Sequence, residues 1–73
     1  MRYATRSEIY ADIVAHPGTT ADLVTIRLYP AEEYHTGKTN TVKQIQNLKN
    51  HGLVVGEQDP DAKKKRFRWR AKE

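Results

Sequence analysis

Apolar residues recur three and four apart through the first two thirds of the chain, then shift to every second residue near its end. That change of period predicts helices followed by a hairpin. The clearest helical stretch is residues 39–52, TNTVKQIQNLKNHG. Val42, Ile45 and Leu48 are spaced three apart, so at about 100° per residue they form one stripe. Thr41 and Lys49 flank the stripe. Asn40, Lys43, Gln44, Asn47 and Asn50 take the opposite side, with Thr39 and Gln46 near its edges. Gly52, just past the last periodic residue, suits a left-handed cap. The expected helix spans about residues 39–51.

Upstream, Thr5-Arg6-Ser7-Glu8 fits a capping box that opens a helix over about residues 6–15, with Ile9, Tyr10, Ile13 and Val14 on its inner face. His16-Pro17-Gly18 ends it. Thr19 or Thr20 caps a short second helix over about 20–28, with Leu23, Val24, Ile26 and Leu28 directed inward. Tyr29-Pro30 stops that helix. Pro30 to Tyr34 has the makings of one further helical turn, with Pro30 at its first position. Downstream, Leu53-Val54-Val55 is a strand, residues 57–62 form a turn cluster, and residues 64–70 return. In the return strand Phe67 and Trp69 alternate with Arg66, Arg68 and Arg70, which directs the aromatics onto the helices and the arginines outward.

The chain has 73 residues and no Cys, which gives one small domain without disulfides or thiolate metal sites. It has no long apolar run and no signal-peptide core, so a soluble cytoplasmic protein is expected. Charge alters the picture more. Residues 1–37 hold three Arg against five carboxylates, net −2, whereas residues 38–73 hold ten Lys or Arg against four, net +6. Such polarity predicts an electrostatic footprint for an anionic partner: nucleic acid first, an acidic protein or membrane surface second. Between Lys38 and Val55 there is no carboxylate. Asn and Gln pair with base edges, and Lys meets phosphate or guanine.

Other chemistry is less well supported. Gly37-Lys38-Thr39 resembles the end of a phosphate-binding loop, but Glu32 stands where that motif needs its first Gly. His16, His35 and His51 lack metal-ligand spacing. Ser7, the only Ser, belongs to a helix start, and Asp59 and Asp61 belong to a turn. No cofactor and no enzymatic activity are expected.

The pattern Val42-x2-Ile45-x2-Leu48-x3-Gly52-Leu53-Val54, with the Asp59-Pro60-Asp61 turn and the basic run 63–70 after it, resembles the winged helix-turn-helix family. The resemblance runs from about residue 5 to 70. It implies an α+β fold: one domain over residues 1–73 with three helices and a two-stranded C-terminal hairpin, the wing, over about 53–70. It also implies double-stranded DNA as partner, with the third helix in the major groove and the wing on the backbone, as in a small transcription regulator. The connection over residues 29–38 is longer than the family's usual turn. On this reading Lys38, Thr39, Asn40, Lys43, Gln44 and Asn47 form the reading set, and Lys63, Lys64, Lys65, Arg66, Arg68 and Arg70 form the wing set. Two alternatives stay open. One is an adaptor for an acidic protein anchored by Tyr3, Tyr29 and Tyr34; the other is a sequence-independent nucleic-acid binder. The oligomeric state, monomer or weak homodimer, is left open.

Overall fold

A computed structural model describes residues 3–60 and 66–72. Three α-helices, α1 (Arg6–Ala15), α2 (Ala21–Leu28) and α3 (Tyr34–Asn50), precede an antiparallel pair of strands, β1 (Val54–Gln58) and β2 (Phe67–Ala71). This is a small α+β fold. Its core is Ala4, Ile9, Ile13, Val24, Tyr29, Ile45, Leu48, Val54 and Trp69, with α3 packed on α1, α2 and β1.

Local chemistry fixes most of the boundaries. The Thr5–Glu8 capping box forms: the Glu8 amide donates to Thr5 Oγ1 at 3.2 Å and the Thr5 amide donates to Glu8 Oε1 at 3.3 Å. Thr20 caps α2, its hydroxyl oxygen accepting from the Leu23 amide. At the end of α3, Gly52 has φ +74°. The Gly52 amide donates to Lys49 O at 3.0 Å and the Leu53 amide to Leu48 O at 2.9 Å. These two bonds define a Schellman motif, which satisfies the last carbonyls and turns the chain into β1.

The third helix starts earlier than the apolar spacing indicates. Pro30 precedes a 3-10 turn, Ala31–Glu33, which runs straight into α3. The apparent long connection over residues 29–38 is therefore mostly helix, and only Tyr29 and Pro30 separate α2 from it. Gly37 lies inside α3, where Gly is normally a weak helix former. Its position has a packing cause. A Cβ there would sit 2.5 Å from Cγ of the Tyr29 ring.

The inward faces of α2 and α3 also differ from the sequence expectation, and in the same way. Thr25 and Thr41 are fully buried, while their neighbours Ile26 and Val42 are 61% and 41% exposed. Each Thr hydroxyl donates to the carbonyl four residues back, Thr25 to Ala21 O at 2.8 Å and Thr41 to Gly37 O at 2.9 Å. That bond removes the cost of burying the hydroxyl, so a small residue occupies the packed position. Leu23 and Val14, also expected inside, are exposed.

In the hairpin, Gly56 faces Trp69 and Gln58 faces Phe67. A Cβ on Gly56 would lie 2.7 Å from the Trp69 ring, so this glycine makes room for the buried indole. Phe67 stays 46% exposed instead of packing on the helices. Its ring leans on that of Trp69, with centroids 5.9 Å apart. Midway along β2, the Trp69 amide donates to Thr19 O at 2.7 Å and the Gly18 amide donates to Trp69 O at 2.9 Å. The connector between α1 and α2 thus attaches to the hairpin's second strand.

Gly37→Ala tests the Tyr29 contact. The intrinsic helix gain of Ala should be outweighed by overpacking, for a net loss of about 1–3 kcal/mol. Urea denaturation followed by circular dichroism should show a lower midpoint; an unchanged or raised midpoint would remove the contact as the reason for Gly37.

Candidate nucleic-acid interface

The exposed side of α3 is centred on Thr39, Lys43, Gln46 and Asn50, because Gly37, Thr41, Ile45 and Leu48 point inward. This is a rotation of roughly 45° from the face the apolar spacing suggested, taking 100° per residue. The helix carries no Asp or Glu in its 17 residues. Lys43 and Lys49 are exposed, and their ammonium groups make no ion pair among the described residues.

The expected reading residues fall into three groups. Lys43 and Thr39 stand in solvent, although the Thr39 hydroxyl donates to His35 O at 3.2 Å. Gln44 and Asn47 are half-buried on one flank. Lys38 and Asn40 are engaged by the fold itself. The Asn40 amide nitrogen donates to Tyr29 Oη at 2.9 Å and to Ala4 O at 3.0 Å. Asn40 is therefore held by the fold through its amide nitrogen. Gln46, which spacing had placed near an edge, and Asn50, which spacing had placed on the outer side but outside the reading set, belong to the central exposed face. The signal for this shift was Thr41, a residue that reads as polar but is buried.

Lys38 meets Asp22 of α2, Nζ to Oδ1 at 2.6 Å, and the Tyr34 hydroxyl donates to the same oxygen at 2.7 Å. Lys38 Nζ also lies 6.0 Å from the centre of the Tyr34 ring. The Lys38 hydrogen bond, with help from Tyr34, holds the Asp22 carboxyl below its ordinary value; Asp22 in turn raises Lys38 and Tyr34 above theirs.

The wing cations are less free than their sequence suggests. Arg68 contacts Asp59, Nη2 to Oδ2 at 3.0 Å, and Arg70 Nε contacts Glu57 Oε1 at 3.1 Å. Arg66 is exposed with no such partner among the described residues. Lys63, Lys64 and Lys65 lie outside the described residues. Arg66 and Phe67 border a cleft of about 340 Å³ with Lys38, Val42 and Gln46 of α3 and the first turn of α2. The exposed flank of α3 and the root of the wing loop therefore form one continuous surface. Of the tyrosines considered as protein anchors, Tyr29 is 6% exposed and hence unsuited, Tyr34 is tied to Asp22, and Tyr3 is exposed.

No group of three or more metal-ligating side chains occurs among the described residues, and none of their helices is long and apolar enough to cross a membrane. No family model, curated protein or solved structure matches the chain.

Two substitutions test these assignments. Asn40→Ala should destabilise the fold by about 1–3 kcal/mol, since Tyr29 Oη and Ala4 O each lose a partner; an unshifted urea midpoint would return Asn40 to the free surface. Asp22→Asn should cost a few tenths to about 1 kcal/mol at neutral pH, because the pair is partly exposed. A depressed carboxyl contributes stability above the unfolded value, about pH 4, and loses it as pH falls through the folded value. The melting temperatures of wild type and Asp22→Asn should thus converge as pH falls to about 2. A gap that persists there would separate the effect from carboxylate ionisation.

Proposed function

We propose that the chain binds double-stranded DNA as a small transcription regulator of winged helix-turn-helix type, with α3 in the major groove and the hairpin against the phosphate backbone. The observation that carries this reading is the exposed side of α3. It is free of carboxylates, it presents Lys43 and Lys49, unpaired among the described residues, beside the amides of Gln46 and Asn50, and it continues into the root of the basic hairpin. A face suited only to water would normally carry both signs of charge.

The order of elements supports the same reading. Two residues separate α2 from the turn that leads into α3, as in a helix-turn-helix. The α1–α2 connector pairs with the wing's second strand, which holds the hairpin to the helices. Arg68 and Arg70 remain usable by phosphate, because exposed ion pairs contribute only about 0–1 kcal/mol and a phosphate oxygen can replace the carboxylate. A second reading, an adaptor for a protein, draws on Leu23 and Ile26, which α2 leaves 46% and 61% exposed.

Fluorescence anisotropy with random-sequence duplex DNA tests the proposal. With about five phosphates neutralised, log affinity should fall against log salt with a slope of about −4 to −5. Lys43→Ala and Arg66→Ala should each flatten that slope by about 1 if they meet phosphate. Absence of binding at low salt would reject DNA binding and favour the protein adaptor.

A further inference from the structure

Val42 is the only aliphatic side chain of α3 left in solvent; Ile45 and Leu48 are each 1% exposed, against 41% for Val42. It is not a failed core position. The packing direction beside it is filled by Thr41, whose hydroxyl is satisfied within the helix. Val42 therefore stands on the face assigned above to DNA, among polar neighbours. One turn further along, Gln46 is exposed, and its amide has no hydrogen-bond partner among the described residues. Both side chains border the cleft shared with Arg66.

We infer that this pair reads A·T base pairs in the major groove: Val42 packs on the 5-methyl group of thymine, and Gln46 bonds the adenine edge. The inference rests on the DNA-binding reading and gives it a sequence class. The chemistry is specific. In the major groove thymine alone among the four bases carries a methyl group, and Gln matches the N6 donor and N7 acceptor of adenine. Four residues of α-helix advance about 6 Å, close to two base-pair steps of about 3.4 Å. The two side chains thus reach base pairs two steps apart on the duplex. Lys43 and Lys49 of the same helix, unpaired among the described residues, supply the charge complementarity that holds the helix against the duplex.

The test uses two duplexes of A·T pairs, identical except that one has uracil in place of thymine, and a G·C duplex with and without 5-methylcytosine. Binding is measured by anisotropy at fixed salt. The wild-type protein should prefer thymine to uracil by about fourfold, the factor for removing one methyl group from water. Methylation of the G·C duplex should strengthen binding in the same direction. Val42→Ala should reduce the thymine-to-uracil ratio to about 1, and since Ala favours helix and the site is exposed, folding should be retained. Gln46→Ala should lower the preference for A·T over G·C, while Lys43→Ala should weaken all four duplexes alike. Equal wild-type affinity for the thymine and uracil duplexes, or a ratio unchanged in Val42→Ala, would overturn the inference and leave DNA binding intact. No affinity for any duplex at low salt would overturn both.

Discussion

The seat of the Tyr29 ring on Gly37 is the contact on which the rest of the structure depends. Tyr29 follows α2 directly, and its amide donates to Thr25 O at 2.9 Å, finishing that helix. Its ring then occupies the space that any side chain at position 37 would need. Its hydroxyl accepts from the Ala4 amide at 2.8 Å and from the Asn40 amide group. One side chain thus joins the N-terminal segment, the end of α2 and the first half of α3. A buried polar tip with its partners in place fixes geometry more narrowly than apolar packing does, because each bond has a direction. The orientation of the exposed face of α3 follows from this seat.

The acidic first half of the chain has a structural role that its net charge alone does not convey. Asp12 on α1 grips Arg27 of α2, with Arg27 Nε 2.6 Å from Oδ1 and 2.8 Å from Oδ2, and Arg27 Nη2 donates to Thr19 Oγ1 at 2.6 Å. Asp12 is nearly buried, with its side chain 6% exposed. Asp22 engages Lys38 and Tyr34 at the other side of α2. These carboxylates are turned to internal cations and a phenol, and the solvent side of α3 keeps its positive sign. Charge segregation along the chain becomes segregation between a brace and a surface.

Caps, the Gly52 turn and the alternation of Trp69 with arginines were legible in the sequence because each depends on neighbours within a few residues. The helix faces were harder to read, and the failures share one cause. At Thr25-Ile26 and Thr41-Val42 polarity alone assigns the aliphatic to the core, yet the threonine takes it. A hydroxyl that bonds its own helix behaves as a small apolar group, and only the space available decides which residue faces inward. Gly37 fell outside the helix that apolar spacing predicts, about 39–51, while the Tyr29 ring that requires it is eight positions away in sequence and in contact in the fold. The wing arginines followed the expected alternation, but pairing of Arg68 with Asp59 and of Arg70 with Glu57 depends on strand register, which composition does not carry.

The bridge between Thr19 and Trp69 also divides the hairpin into two parts with different freedom to evolve. The part near Trp69 is tied to the α1–α2 connector and to the core, so its register is bound to the packing of the helices. Beyond it the ladder extends to the Asp59 amide, which donates to Arg66 O at 2.8 Å. Lengthening a loop costs little free energy, since closure entropy grows only with the logarithm of its length. Closure entropy therefore sets only a weak limit on the length of chain that joins residues 59 and 66. The fold thus anchors one end of the hairpin in its core and leaves the span of the other end limited only weakly by the cost of closing a loop.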